Sequence, residues 1–160
     1  MVEFRKIKES DNKALGDIMQ EVLLEYDAVE GKSMLGDPTQ YKMFEQYQEN
    51  RSVYYVAVMD GEIVGGCGVK KVPNQNDDSI CELQRMYVLK KARGKKIGKE
   101  LILNCIDVAK KFNYKSMYLE SFPQMQEAIN LYKKNGFYDI DYAIGNTGHD
   151  ACDVKMLLKL

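Results

Sequence analysis

A stretch with the composition of an anion site lies at residues 90–101, KKARGKKIGKEL, where six basic residues and two glycines fill twelve positions. It follows a β-rich segment and leads into apolar residues at helical spacing. The first N–H groups of a helix lack carbonyl partners, and the helix dipole adds about half a positive charge there. The glycines let an anion approach the backbone, and Arg93, Lys95, Lys96 and Lys99 add charge. The stretch therefore predicts a loop that binds phosphate.

Two common phosphate loops and a nucleic-acid surface fit this stretch poorly. The pattern G-x-x-x-x-G-K-[ST] has no match, no Mg²⁺-binding Ser or Thr follows Lys99, and the spacing is not that of a dinucleotide fingerprint. The net charge is −1 and the pI is near 5.9, whereas nucleic-acid-binding domains usually have a pI above about 9. No aromatic-rich RNA motif accompanies the basic run. We therefore expect the basic cluster to serve a local ligand and not a nucleic acid.

The composition indicates the class of protein. The chain has 160 residues, of which 45% are hydrophobic and 29% charged, and this predicts one globular domain over residues 1–160. No apolar run is long enough for a membrane span, and the N-terminus lacks the apolar core of a signal peptide. The four cysteines have no C-x-x-C spacing and stand among apolar neighbours. We therefore expect a cytoplasmic protein without a metal site or membrane contact.

The first half of the chain reads as a strand, two helices and a hairpin. Residues 2–7 alternate like a strand, and the polar residues 10–12 offer N-caps for an amphipathic helix. Pro38 suits the first turn of a short second helix. Two β-rich runs then flank Asp60 and Gly61, a dipeptide that favours the tight turn of a hairpin.

The second half alternates strands and helices. Residues 80–89 predict a strand, and apolar residues at helical spacing over 97–112 predict the helix that the basic stretch precedes. A strand at 115–122, a helix ended by Gly136 and a final strand at 150–160 follow. The order β-α-α-β-β-β-α-β-α-β-β predicts an α/β fold with a mixed central sheet of about six to seven strands, flanked by about four helices.

At this point the residues resemble a known family. The segment ELQRMYVLKKARGKKIGKELI is similar to the acyl-coenzyme-A-binding segment of the GNAT superfamily, the Gcn5-related N-acetyltransferases, whose loop pattern is Q/R-x-x-G-x-G/A. Arg93 takes its first position and Gly98 its last. INLYKKNGF resembles the second motif of the family, around a tyrosine and a Gly-Phe pair. The resemblance covers roughly residues 50–140 and implies a single-domain acyl-CoA N-acyltransferase fold.

The resemblance implies acetyl-CoA as cosubstrate and direct transfer of its acetyl group to a primary amine in a ternary complex. The pyrophosphate would lie on the basic turn, and the pantetheine arm would follow a strand where two parallel strands splay apart. Two positions depart from the family pattern: Lys96 replaces its middle glycine and needs a helical conformation to present its N–H, and Met125 replaces a frequent asparagine. The implied cofactor-binding residues are Met86, Tyr87, Val88, Arg93, Gly94, Lys95, Lys96, Ile97, Gly98 and Lys99.

Acetyl transfer to an amine requires an uncharged amine. A lysine-like amine with a pKa near 10.4 costs about 4.6 kcal/mol to deprotonate at neutral pH, so a general base lowers the barrier. Glu82 matches the position of a catalytic glutamate in some family members, although a polar residue on a half-buried strand would look the same. His149, the one histidine, titrates in the useful range but reads equally as a turn residue. The base is therefore Glu82, His149 or water.

The departing thiolate must also be protonated. Tyr132 matches the tyrosine that serves as proton donor in many family members, and its ordinary pKa near 10 keeps it protonated at pH 7. The alternative is a tyrosine that merely packs on the sheet. Glu120 is a third acidic candidate with a structural alternative. The cysteines have no histidine neighbour in sequence, which disfavours a covalent intermediate on a thiol.

The acceptor is the least determined part of the prediction. In this family the acceptor site is walled by residues 26–41 and 140–152, where acidic side chains favour a cationic amine on a small molecule or peptide. A homodimer is the commonest assembly for such an enzyme. The main alternative is a catalytically inactive CoA-binding sensor or partner module. The acidic residues of the two walls are Glu25, Asp27, Glu30 and Asp37, and Asp139, Asp141 and Asp150.

Overall fold

One mixed seven-stranded sheet organises the protein. The computed structural model describes residues 1–26, 36–73, 75–145 and 153–160. The strands lie in the order β1-β2-β3-β4-β5-β7-β6, and all neighbouring pairs are antiparallel except β4 and β5. The strands are β1 (Val2–Lys6), β2 (Val53–Met59), β3 (Glu62–Lys71), β4 (Ile80–Val88), β5 (Ser116–Ser121), β6 (Tyr138–Ile140) and β7 (Val154–Lys159).

Within the described ranges, four α-helices cover the two faces of this sheet. The helices are α1 (Asn12–Glu25), α2 (Met43–Gln46), α3 (Ile97–Lys111) and α4 (Gln126–Lys134). Apolar residues of α1 and α2 form one core with β2 and β4, while α3 and α4 pack on the opposite face in a second, larger core. The mixed sheet, the number of strands and the four helices confirm the predicted fold class.

The hairpin between β2 and β3 forms where the sequence predicts it. Asp60 and Gly61 both have positive φ, at 52° and 82°, as a two-residue hairpin turn with the twist of the strands requires. Gly136 has φ 99° directly after α4 and ends that helix as predicted. These elements follow from local backbone preferences, so the sequence identifies them without knowledge of the rest of the fold.

Strands β4 and β5 separate soon after they pair, which opens the sheet. Their parallel register covers Ile80–Glu82 against Ser116–Tyr118. Beyond it β4 continues to Val88 beside β3 alone, and a bulge leaves Arg85 and Met86 opposite the single residue Cys67. The parallel strands therefore diverge towards the N-terminus of α3, as the resemblance implies.

Several local predictions differ from the structure. Asp11 stands at the N-cap position of α1, but its side chain makes no capping hydrogen bond to that helix; its carboxylate accepts hydrogen bonds from Arg5 and from the backbone N–H of Lys8 instead. The second helix is split into a 3-10 turn at Pro38–Tyr41 and the single turn α2. The final strand begins at Val154, and residues 150–152 of the predicted strand lie outside the described residues.

No helix in the four described ranges has the length and apolar character that a membrane crossing requires.

Cys67, Cys81 and Cys105 are buried free thiols, and no group of histidine, cysteine, aspartate and glutamate side chains in the described part of the chain could hold a metal. The candidate residues Asp27, Glu30, His149, Asp150 and Cys152 lie outside the described residues.

Candidate active site

A cleft of about 430 Å³ opens where β4 and β5 diverge. Its floor comes from the last residues of β4, one wall from the basic loop and the start of α3, and the other from α4. Nine of the ten predicted cofactor-binding residues line it, whereas Lys95 is exposed and is not among the described lining residues. The nine are Met86, Tyr87, Val88, Arg93, Gly94, Lys96, Ile97, Gly98 and Lys99.

The basic loop reaches the helix through two residues with left-handed backbone. Gly94 has φ 77°, and a Cβ atom there would meet no neighbour within 4 Å, so the backbone is open to a ligand. Lys96 has φ 63° and ψ 17° at the N-cap of α3. The helical conformation expected for Lys96 is therefore left-handed, which glycine adopts freely and lysine does not. This explains why the family pattern has glycine at this position.

Arg93 lies between the loop and α1. Its guanidinium donates hydrogen bonds to both carboxylate oxygens of Glu25, one of them from Nη2 to Oε1 at 2.9 Å, and it lies 5.7 Å from the ring centroid of Tyr26. Its Nε donates to the Val88 carbonyl at 3.1 Å. The bonds to Glu25 raise the pKa of Arg93 above its ordinary value. Arg93 thus connects the basic loop with the end of α1 and the end of β4.

Glu82 lies in β4 on the face covered by α1 and α2, outside the cleft lining. Its side chain is buried, with 1% of its surface exposed, and it is paired in register with Lys70 on one side and Tyr118 on the other. Its Oε1 accepts a hydrogen bond of 2.6 Å from Gln84 Nε2, and Gln84 Oε1 accepts one of 2.7 Å from the Tyr47 hydroxyl. This chain of hydrogen bonds therefore fixes the orientation of the carboxylate.

Tyr132 lies in α4 with its ring in the core, where it packs against Phe137 at 5.9 Å between ring centroids. Burial raises the pKa of its hydroxyl well above the ordinary value, with smaller contributions from Cys67, Tyr87 and Cys105. No described residue accepts a hydrogen bond from this hydroxyl, and no fully buried polar side-chain atom in the described part of the chain lacks a partner. The hydroxyl is therefore not fully buried and stays protonated at neutral pH, but Tyr132 is not among the described residues that line the cleft.

The sequence model described as Acetyltransferase (GNAT) family matches residues 17–137. The chain belongs to the GNAT family. The Uncharacterized N-acetyltransferase YjgM of Escherichia coli (strain K12) is 38% identical over 157 residues, which are 98% of this chain and 93% of that protein. This GNAT protein is therefore similar to an N-acetyltransferase along nearly its whole length.

Solved structures show the same GNAT fold. A GNAT-family acetyltransferase from Staphylococcus aureus Mu50 has a TM-score of 0.87 at 21% identity, with 99% of each chain covered. The PaiA N-acetyltransferase from Thermoplasma acidophilum, in complex with coenzyme A, has a TM-score of 0.78 at 22% identity and covers 100% of this chain and 99% of its own. At these identities the likeness shows the fold.

The second departure from the GNAT pattern changes the chemistry of one wall. Met125 lines the cleft at the N-cap of α4, where its thioether sulfur lies 3.8 Å from the Ser121 hydroxyl. An asparagine there would offer an amide to a ligand, whereas a thioether is a weak acceptor with no donor. The wall beside α4 is thus more apolar than the family motif predicts.

The acidic walls are largely committed to partners within the protein. Glu25 pairs with Arg93, the Asp37 carboxylate caps the 3-10 turn through the Thr39 amide, and Asp139 lies 3.4 Å from the ammonium of Lys133. The pair of Glu25 with Arg93 could not be identified from the sequence, because the two residues are 68 positions apart. Sequence analysis also missed Gln84 and Arg85, whose roles depend on the face of β4 that they share.

Proposed function

We propose that this GNAT protein transfers the acetyl group of acetyl-CoA directly to a primary amine within a ternary complex. The observation that carries the proposal is the cleft itself, because nine residues of the family's cofactor motif converge on the opening between two splayed strands. The left-handed loop, the lysines and the first amides of α3 would hold the pyrophosphate. The pantetheine arm would run beside Met86, Tyr87 and Val88.

Glu82 is the proposed general base. A carboxylate on the α1 face of β4 can accept the proton of the incoming amine, and the hydrogen bond from Gln84 holds its orientation. Because the side chain is buried, we expect the proton to arrive through a water molecule and not by direct contact with the amine. Glu120 lies on β5 on the same face and accepts a hydrogen bond of 2.6 Å from the Tyr118 hydroxyl, so we assign it a structural role.

Tyr132 is the proposed donor to the coenzyme A thiolate. Its hydroxyl is protonated at neutral pH, is not fully buried, and interacts electrostatically with Tyr87 of the strand that the pantetheine would follow. A raised pKa makes the phenol a weaker acid than free tyrosine, so its main contribution is a hydrogen bond to the developing thiolate. The proton would pass to the sulfur as the thioester C–S bond breaks and coenzyme A leaves. The same hydroxyl is unsuited to act as a base at neutral pH.

The buried cysteines favour direct transfer of the acetyl group over a covalent acetyl-cysteine intermediate. Burial raises the pKa of both Cys81 and Cys105, so these thiols stay protonated and poorly nucleophilic. Neither side chain lines the cleft among the described residues. The acetyl group would therefore pass to the amine without an acetyl-cysteine step at these positions.

The test combines binding and turnover. Calorimetric titration with acetyl-CoA, desulfo-CoA and ATP measures cofactor binding, and thiol release over a panel of amines measures transfer. We expect micromolar binding of acetyl-CoA, and thiol release that falls at least tenfold in Tyr132→Phe but not in Tyr138→Phe, a matched change on the exposed strand β6. Binding without release on any amine would favour the sensor alternative. Absence of acetyl-CoA binding would refute the proposal.

A further inference from the structure

Arg85 has an unusual backbone at the centre of the sheet. It occupies the β4 bulge with φ 51°, a left-handed conformation that is unfavourable for any residue with a side chain. The Tyr54 hydroxyl donates a hydrogen bond of 2.8 Å to its carbonyl and so holds the bulge in place. The bulge puts two successive side chains, those of Gln84 and Arg85, on the face covered by α1 and α2. A regular strand would have pointed one of them to the other face.

The guanidinium of Arg85 is nearly buried but weakly paired. Only 11% of its side chain is exposed, and its partners are the sulfur of Met43 at 2.7 Å, the Thr39 hydroxyl at 3.3 Å and the Asp37 carboxylate at 3.9 Å. Sulfur is a weak acceptor, and a strong bond between a guanidinium and a carboxylate is about 2.7–2.9 Å long. Arg5, by contrast, meets both oxygens of Asp11 at 2.8 and 3.0 Å. Arg85 therefore retains capacity to bind another anion.

Arg85 lies on the same face of β4 as the proposed base Glu82. Along β4, the residues that face α1 and α2 are Glu82, Gln84, Arg85 and Tyr87, and Tyr87 also lines the cleft. A regular strand would separate the Cα atoms of Glu82 and Arg85 by about 10 Å, and the bulge at Arg85 shortens this distance. Because both side chains are directed to the same face, a base and a cation can approach the two ends of one small ligand that carries an amine and a carboxylate.

We propose that Arg85 binds the carboxylate of the acceptor, so that the acceptor is a small amino acid acetylated on its amine. This inference rests on the proposed function and specifies its substrate class. It departs from the cationic amine that the acidic walls favour in the sequence, because the described wall residues Glu25, Asp37 and Asp139 already have partners. A carboxylate would bind the planar guanidinium through two parallel hydrogen bonds.

The test compares each L-amino acid with its own α-carboxamide, by thiol release at saturating acetyl-CoA. The amide has the more easily deprotonated amine, so a preference for the acid cannot arise from ionisation of the amine. We expect kcat/KM for the best acid to exceed that for its amide about 10- to 100-fold, since a charge-assisted pair is lost in the amide. The variant Arg85→Gln should remove this preference through KM, and Arg85→Lys should restore part of it.

Controls separate recognition from folding and from catalysis. Lys133→Gln removes a cation that lies on α4 outside the cleft lining, and it should keep the preference for the acid. Acetyl-CoA affinity should remain within about twofold in Arg85→Gln. A readout independent of turnover is calorimetric binding of the N-acetyl amino acid against its amide to the CoA-loaded wild type, where the acid should bind at least tenfold more tightly.

The outcomes distinguish this inference from the proposed function. Faster turnover of amides or simple amines than of acids would overturn the carboxylate contact and leave the acetyltransferase standing. Retention of the acid preference in Arg85→Gln would assign the carboxylate to another residue and overturn the role of Arg85. Thiol release from no amine, together with equal binding of the acetylated acid and amide, would overturn both. If Arg85→Gln does not fold, the two wild-type comparisons still decide the substrate class.

Discussion

The left-handed backbone of Lys96 allows a test in which one residue is compared with its neighbour. A non-glycine residue in this conformation costs about 1–2 kcal/mol, which glycine does not incur. Glycine in turn loses about 0.5–1 kcal/mol through the greater freedom of the unfolded chain. Lys96→Gly should therefore change the free energy of unfolding by about 0 to +1.5 kcal/mol. Lys95 is the matched control, because it is equally exposed in the same loop and its φ is not positive.

The two variants differ in the sign of their effect. Lys95→Gly gains no relief of strain and should lose about 0.5–1 kcal/mol, so the two variants should differ by about 1–2 kcal/mol in urea denaturation. For a chain of this size that corresponds to roughly 2–8 °C in Tm. Each variant loses one positive charge, so calorimetry with acetyl-CoA measures how much each lysine contributes to binding, separately from stability. Equal or reversed stabilities would refute the backbone argument.

Three further predictions concern contacts at and around the site. Glu25→Gln should release Arg93 and tighten acetyl-CoA binding about two- to fivefold in calorimetry. Glu62→Gln releases Lys91 of the same loop and should not tighten binding. Equal effects of the two variants would contradict a specific role of Arg93 in binding the cofactor. Gly66→Ala should destabilise by about 1–3 kcal/mol in urea, since its Cβ would lie 2.4 Å from the Tyr54 ring; a loss below about 0.5 kcal/mol would show that the ring moves freely. Asp11→Asn should destabilise by about 2 kcal/mol at pH 7. Burial would raise the pKa of the Asp11 carboxyl, but the hydrogen bonds that the carboxylate accepts lower this pKa overall. The stabilisation by Asp11 is therefore present above about pH 4 and is lost as the pH falls through the pKa of the folded state. If the stability difference between Asp11→Asn and wild type persisted unchanged at pH 3, this assignment would be contradicted.

The position of the candidate site was predictable where local sequence patterns mark it. The basic loop before α3 and the tyrosine of α4 follow family motifs whose spacing is visible in the chain. Nine of the ten predicted cofactor-binding residues line one cleft, whereas Tyr132 is not among its described lining residues. Lys96 was identified as a departure, but its left-handed conformation was not, because φ depends on how the loop joins the helix. Glu82 was proposed as the base from its position in the sequence, while its burial and its hydrogen bond from Gln84 appear once the sheet is assembled.

The sequence by itself determined the elements, their order and the family. Alternation, helical periodicity, the Asp60-Gly61 turn and the glycine after α4 are local signals, and each acts within a few residues. The tertiary structure decided which side chains meet. The divergence of β4 from β5, the bulge that turns Arg85 towards α2, and the pairing of Arg93 with Glu25 all join residues that are far apart in the chain. Such contacts depend on the packing of whole elements, and no local pattern encodes them.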